Sequence, residues 1–160
     1  MAMRLLFLLL LLGTMVVAEP LNLEQVQQLG RLRLGLTESE LAELGPPKTI
    51  GKPVVEGATG LTVQRRSYPS KGLTITWSRE KDADAWRVER FTAVPPNSWK
   101  TPQGIGLGSP AEKVRSTYAS LLDPESSGSS QLVVGSIYGG IVFSIKKGKV
   151  SRIFVGAAAE

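Results

Sequence analysis

The sequence predicts an α+β protein of two tandem repeats, each a helix followed by an antiparallel β-meander, with the helices packed on one face of the sheet. Two observations support this prediction. Each half of the chain opens with a glycine-containing loop that leads into a helix start signal, and each half continues into segments where apolar and polar residues alternate. Alternation with a period of two is typical of strands that bury one face.

The helix start signals are two capping boxes. Thr37 with Glu40, and Ser109 with Glu112, fit the S/T-x-x-E pattern. In this pattern each of the two side chains satisfies a free backbone N–H of the first helical turn. We expect a short helix after the first signal and a longer one after the second.

The strand segments match between the halves: residues 66–77 match 135–145, and residues 88–91 match 150–153. A gapped match over several segments is hard to obtain by chance, so it indicates an internal duplication. The alternative is two generic helix-plus-hairpin units. Alternation assigns one set to the buried face and a second set to an open face. The buried set is Leu73, Ile75, Trp77, Ile141, Phe143 and Ile145, and the opposed set is Thr74, Thr76, Val142 and Ser144.

Residues 1–18 have the pattern of a secretory signal peptide. Arg4 supplies a positive charge, an apolar run follows, and Val16 and Ala18 are compact residues before the cleavage point. At about 1.5 Å per residue, the segment 5–18 covers ~21 Å of a ~30 Å hydrocarbon core, which disfavours an uncleaved anchor. We expect a periplasmic or secreted protein that begins near Glu19.

The mature chain divides into four predicted segments. They are an N-terminal helix at 19–33 capped by Asn22, repeat 1 at 34–94, a proline-containing linker at 95–104 and repeat 2 at 105–160.

Composition excludes several classes of function. The chain has neither cysteine nor histidine, so Ser-His-Asp, Cys-His and histidine- or cysteine-ligated zinc sites are impossible. Removal of residues 1–18 leaves 19 − 1 = 18 Lys and Arg against 14 Asp and Glu, a formal charge of +4. These charges are scattered, which argues against a nucleic-acid partner. We expect no enzyme activity, no cofactor, no metal and no lipid anchor, and at most weak contact with an anionic membrane surface.

Three motifs resemble a phosphate loop, a catalytic serine–lysine pair and a calcium site, but their context favours a structural role for each. The glycine-rich segment 104–109 lacks the spacing and the βαβ context of a phosphate loop. The S-x-x-K matches at Ser78 and Ser144 fall on a hairpin turn and a strand end rather than on a helix. The acidic loop with Glu80, Asp82 and Asp84 lacks the glycine and the closing glutamate of an EF-hand, so a solvated hairpin tip is the preferred interpretation.

The capped helix after a glycine-apolar loop, followed by a three-stranded meander, resembles the BamE-like (SmpA/OmlA) domain. Two such units in one exported chain resemble the two-repeat architecture of β-lactamase-inhibitor proteins. The likeness covers about residues 32–156. It implies a protein-binding role without enzyme activity. The chain departs from both families because it lacks a lipid-bearing cysteine and disulfides.

The candidate binding residues lie on the predicted open face. Strand alternation opposes Arg90 to Phe91 and Arg152 to Ile153. With these arginines we group Thr74, Thr76, Thr92 and Ser144, and we place Trp86 or Trp99 at the rim, where each is either a hydrophobic plug or an exposed anchor. The expected function is recognition of another envelope or secreted protein, and the alternative is binding of a small ligand or cell-wall fragment. Reversing both arginine charges should then weaken capture and leave the fold unchanged.

Overall fold

The computed structural model describes residues 21–81 and 85–158. The predicted fold class is wrong, because 41% of the described residues are strand and 15% are helix, and the elements do not form two helix-plus-meander repeats. The described strands form one eight-stranded antiparallel sheet and one two-stranded sheet. Residues 1–18, together with Asp82 and Asp84 of the acidic loop, lie outside the described residues.

Strands from both halves of the chain join in the large sheet. The small sheet pairs β1 (Gln28–Leu29) with β2 (Leu32–Arg33). The large sheet contains β3 (Thr49–Ile50), β4 (Val54–Val55), β5 (Thr62–Tyr68), β6 (Leu73–Arg79), β7 (Arg87–Ala93), β8 (Gln131–Ser136), β9 (Gly139–Lys146) and β10 (Lys149–Gly156). Its order is β3-β5-β6-β7-β10-β9-β8, and β4 also pairs with β5. The pair β7–β10 therefore forms the middle of the sheet.

Short segments cover the outer sides of β5 and β8. β3 and β4 pair with the two ends of β5. At β8, the N–H of Gly135 donates to the carbonyl of Leu121, and the N–H of Asp123 donates to the carbonyl of Val133, each at 2.8 Å. Such pairing satisfies backbone groups that would otherwise promote edge-to-edge association.

Helical structure within the described residues is limited to short segments. They are α1 (Leu23–Val26), α2 (Ala111–Thr117) and two 3₁₀ segments, Ser39–Leu44 and Pro69–Lys71. Long runs of 3₁₀ helix are uncommon because their hydrogen-bond geometry is poor. In the Ser39–Leu44 segment, Leu41 departs from helical geometry with φ −113° and ψ 21°. The first start signal therefore precedes only a short 3₁₀ segment, and the second precedes an α-helix of seven residues.

The two capping boxes have different outcomes. The first is confirmed: the N–H of Thr37 donates to Glu40 Oε2 at 2.8 Å, and the N–H of Glu40 donates to Thr37 Oγ1 at 3.4 Å. The second does not form, because Ser109 Oγ accepts the N–H of Gly106 at 3.0 Å and α2 starts only after Pro110. Ser109 thus fixes the glycine-rich loop that precedes the helix.

The predicted N-terminal helix at 19–33 is reduced to one turn. Asn22 caps this turn, since its side chain accepts the N–H of Glu24 at 3.0 Å. Gly30 then takes a φ of 59°, and β1 and β2 pair on either side of it. The turn and hairpin still bury the segment's apolar residues Val26, Leu29 and Leu32.

The main core lies on one face of the large sheet. The strand alternation is confirmed there for seven residues predicted to face the core, which are at most 2% exposed: Leu73, Ile75, Trp77, Phe91, Ile141, Phe143 and Ile153. Ile145, also predicted to be buried, is only partly buried. The seven share this core with residues of the short helical segments, Val26, Leu41, Leu44 and Val114. The opposite face of the sheet is left for other contacts.

Candidate functional site

The face of the large sheet opposite the main core, termed the open face, carries five of the predicted binding residues: Thr74, Thr76, Arg90, Thr92 and Arg152. Strand alternation explains their position, because their neighbours Ile75, Phe91 and Ile153 are buried in the main core. The strand register brings the five together, since Thr76 pairs with Arg90 and Thr74 pairs with Thr92.

Six residues, one from each of six neighbouring strands, are paired in a row across the open face. The row is polar in one half and apolar in the other. The polar half is Ser67, Thr74 and Thr92, and the apolar half is Phe154, Val142 and Val133. The apolar half forms a second hydrophobic cluster, separate from the main core, against which Ile137 packs. Hydroxyl groups therefore lie beside apolar side chains where β7 meets β10.

A groove lies over this junction in two adjoining parts, together termed the open-face groove. The larger part has a volume of about 560 Å³, and its apolar lining includes Phe154, Val142, Ile137 and Ala157. The smaller part, of about 170 Å³, is lined by the three threonines and by Arg65. Arg90, Arg152 and Phe154 line both parts, so they stand where the two parts meet.

Arg90 is held in place by an ion pair. Its Nη2 donates to Glu56 Oε1 at 2.9 Å, and the side chains of Arg90 and Glu56 are 26% and 10% exposed. Glu56 Oε2 also accepts the hydroxyl of Thr59 at 3.0 Å. Breaking a partly buried pair with additional hydrogen bonds is more damaging than breaking a surface pair. Arg90 therefore stabilises the fold as well as lining the groove.

Arg152 is exposed and lies over an aromatic ring. Its guanidinium carbon is 5.7 Å from the centroid of Phe154, two residues further along β10 on the same face. Such a cation–π contact at an exposed site contributes about 0.5–1 kcal/mol. The ion pairs within residues 21–81 and 85–158 include none with Arg152. A ligand in the groove can reach this cation without breaking an internal pair.

The other three predicted residues are not among those that line the groove. Ser144 lies on the open face beside Arg152 in the β9–β10 register. Trp86 and Trp99 are half-buried against the main core. They therefore act as hydrophobic plugs and do not lie at the rim of the open face. The ring of Trp86 contacts Arg66 and Arg79, with guanidinium-to-centroid distances of 5.6 and 4.7 Å.

Two of the residues that sequence reasoning missed contact the two predicted arginines. Phe154 could have been found, because the alternation that places Arg152 on the open face also places the residue two positions later there. Glu56 could not, because it lies 34 residues before Arg90 in a turn after β4, and no local pattern links the two.

The lining of the groove is suited to holding an anionic group. Arginine guanidinium groups and hydroxyls both donate charge-assisted hydrogen bonds to carboxylates. Phe154 and Val142 add apolar contact area. Among the described residues that line the groove there is neither a carboxylate nor a lysine to act as a general base. An anionic group that carries an apolar portion fits this set best.

Comparison of the chain with protein-family models, curated proteins and solved structures gives no match. The resemblance to BamE-like domains and to β-lactamase-inhibitor proteins therefore stays a prediction. The described residues include no group of three or more acidic side chains placed to hold a metal ion. No helix in the part of the chain that the structure describes is long and apolar enough to cross a membrane.

Proposed function

We propose that this chain is an exported, non-enzymatic binding module that recognises another envelope or secreted protein through the open face. One observation carries the proposal: Arg152 and Phe154 form an exposed cation over a recessed aromatic ring, at the centre of a groove that continues on both sides. Arginine and aromatic residues are enriched among the few side chains that dominate binding energy at protein interfaces.

The charge of the groove indicates the kind of side chain that a partner presents. Arg65, Arg90 and Arg152 line it, and Glu56 pairs with one of the three. The remaining positive charge favours an acidic side chain on the partner, since complementary charges speed encounter and fix orientation. The apolar lining from Val142 and Ile137 then accepts an aliphatic or aromatic neighbour of that acidic residue.

The groove volume favours one alternative function, the binding of a small ligand or cell-wall fragment. The larger part, of about 560 Å³, falls within the ~300–1,000 Å³ range of small-molecule sites. Native mass spectrometry of the protein purified from its own source tests this alternative. A bound compound of constant mass that is lost in Phe154→Ala would support it over a protein partner.

A capture experiment with matched variants tests the proposal. The mature chain is immobilised and exposed to envelope extract, and the captured proteins are compared between wild type, Arg152→Glu and Lys113→Glu. Lys113 is exposed on α2, away from the open face, so it gives the same charge reversal outside the groove. We expect Arg152→Glu to lose at least ~90% of a protein that Lys113→Glu retains, because like charges brought together at an interface cost several kcal/mol.

Two results would contradict the proposal. Equal capture by all three forms would move the binding surface away from the groove. Equal loss in both charge-reversal variants would show a general dependence on positive charge instead of recognition at Arg152. Export is checked separately by N-terminal sequencing of the released protein. We expect its first residue to lie within two residues of Glu19.

A further inference from the structure

A second cavity, of about 100 Å³, lies on the core side of the large sheet, away from the open-face groove. It is formed between β5, β6 and the 3₁₀ segment Ser39–Leu44, and its polar lining is Arg66, Tyr68, Trp77 and Glu38. Arg66 belongs to the core side because it pairs with Ile75 in the β5–β6 register. It is only 9% exposed, so its guanidinium is a buried cation.

The guanidinium of Arg66 is fixed from several directions. It lies over the ring of Trp77 at 5.1 Å and over that of Trp86 at 5.6 Å. Its Nε donates to Gln64 Oε1 at 2.9 Å, and its Nη1 donates to Glu38 Oε1. A guanidinium has five N–H groups, so three remain after these two bonds. Fixed, planar donors of this kind are suited to carboxylates.

Trp77 contributes a second donor, which interacts with the Tyr68 hydroxyl without completing a hydrogen bond. It is 1% exposed, and its Nε1 has no hydrogen-bond partner within the described part of the chain. A buried donor left unsatisfied costs about 1–3 kcal/mol. Tyr68 adds a third donor, because a phenol hydroxyl is protonated at neutral pH, and burial raises its pKa further. Donors therefore outnumber acceptors around this cavity.

Glu38 is the one carboxylate among the described residues that line the cavity, and it lies at the mouth. Its side chain is 48% exposed, whereas that of Arg66 is 10% exposed. The carboxylate of Glu38 therefore shows that Arg66 binds such a group, and its half-exposed side chain has solvent on one side. It accepts from one N–H of Arg66 and makes no hydrogen bond with the Trp77 N–H.

We infer that this cavity is a binding site for a single carboxylate group, which replaces Glu38 on Arg66 and also accepts the Nε1–H of Trp77. The volume of about 100 Å³ admits one carboxylate with a short stem and excludes a ring. A free organic acid and an acidic side chain of a partner both supply this group. The inference does not depend on the proposed function, because the two sites lie on opposite faces of the sheet.

The test follows the indole N–H signals in ¹⁵N-correlated NMR spectra of the whole mature protein. Sodium acetate is titrated as the free acid, and N-acetyl-glutamate α-amide is titrated as the side-chain form, each against sodium chloride at equal ionic strength. We expect a saturable shift of the Trp77 signal, assigned by its loss in Trp77→Phe, with the Trp99 signal unchanged. If only acetate shifts the Trp77 signal, the ligand is a free organic acid. If only N-acetyl-glutamate α-amide shifts it, the ligand is an acidic side chain of a partner.

Glu38→Gln decides between a carboxylate site and a structural ion pair. Removing the internal competitor should tighten acetate binding about five-fold, or ~1 kcal/mol. Tyr68→Phe, which keeps the ring and removes a donor, should weaken it, and this variant serves if Glu38→Gln fails to fold. The inference would be overturned if the Trp77 signal responded to neither carboxylate, or if it responded equally to chloride. A water molecule would then be the occupant of the cavity. Unchanged or weaker binding in folded Glu38→Gln would overturn it too.

Discussion

Arg90 and Glu56 are 34 residues apart in the sequence and form a 2.9 Å ion pair across the open face, with the Glu56 side chain 10% exposed. Arg152, the other predicted arginine, instead lies exposed over Phe154. We therefore expect the charge reversal to leave the fold unchanged at Arg152 and not at Arg90. Arg90→Glu should lower the free energy of unfolding by about 1–3 kcal/mol, because it removes the ion pair from the mostly buried Glu56 carboxylate and places a like charge beside it. Arg152→Glu should change it by less than ~0.5 kcal/mol.

Urea denaturation of the two variants measures this difference. The exchange variant Glu56→Arg with Arg90→Glu restores opposite charges and should recover part of the loss, which separates the ion pair from other effects of position 90. Equal midpoints for Arg90→Glu and wild type would show that the pair does not contribute to stability in solution.

Gly156, the last residue of β10, permits the close approach of β7. Its φ is 131°, and a Cβ built there would lie 2.6 Å from the Cβ of Arg90. Gly156→Ala should therefore combine backbone strain with a clash and destabilise the protein by about 2–4 kcal/mol. It should also displace Arg90 and reduce partner capture through the open-face groove.

Gly148 is the matched control for this substitution. Its φ is 72°, and a Cβ built there meets nothing within 4 Å. Gly148→Ala should therefore show the strain alone, about 1–2 kcal/mol, with normal capture. Thermal unfolding and capture are measured on both variants. Equal destabilisation by the two alanines would mean that the contact with Arg90 is relieved by a small shift of the backbone.

Glu40 links stability to acid pH through the first capping box. Hydrogen bonds from the N–H and hydroxyl of Thr37 hold the pKa of Glu40 below its usual value of 4.5. A carboxyl whose pKa is lower in the folded state stabilises the protein above its unfolded pKa, and this stabilisation is lost as the pH falls through the folded pKa. Between about pH 6 and pH 3, Glu40→Gln should therefore show a smaller fall in Tm than wild type.

The comparison of slopes isolates Glu40 from other carboxyls. Asp123, whose pKa is also lowered by hydrogen bonds from Ser126, contributes equally to both proteins and cancels. Thr37→Ala keeps the backbone N–H that donates to Glu40 and removes only the hydroxyl, so it should give a smaller flattening, with a loss of about 1 kcal/mol at neutral pH, as for other caps. Parallel Tm curves for wild type and Glu40→Gln would show that the box is not formed in solution.

The faces of the strands could be predicted from the sequence because their alternation is local. Leu73, Ile75 and Trp77 are buried as expected, and the same rule puts Arg90 and Arg152 on the open face. A one-residue error would have moved every side chain to the other face, so these positions follow strictly from the register.

The lengths of the helices could not be predicted, because a capping box shows where a turn begins and not how far it continues. Apolar residues at 26, 29 and 32 suit a helix face, yet Gly30 reverses the chain and a hairpin buries them. Contacts between residues that are distant in the sequence could not be predicted either, because no local pattern links the two partners. Examples are the contact of Glu56 with Arg90 and that of Arg66 with Trp86. Tertiary packing determined these features.

The hydroxyl of Tyr118 ties the end of α2 to the segment predicted as a linker. It donates to Thr101 Oγ1 at 2.7 Å and lies 3.0 Å from Gln103 Oε1, while its ring stacks on Phe143 with centroids 5.8 Å apart. Tyr118→Phe keeps the ring and removes the buried hydroxyl. It should lower the free energy of unfolding by about 1–3 kcal/mol, because the buried Thr101 hydroxyl loses a partner.

Tyr138→Phe is the control for this last prediction, because the Tyr138 side chain is 70% exposed and its substitution should change stability by less than ~0.5 kcal/mol. Alkaline pH gives a second measurement. Burial raises the pKa of Tyr118, so its contribution is present below the unfolded pKa of about 10 and is lost as the pH rises through the folded pKa. Wild type and Tyr138→Phe should both lose stability there, and Tyr118→Phe should lose less. Equal alkaline losses in all three proteins would show that Tyr118 is not the buried group that titrates.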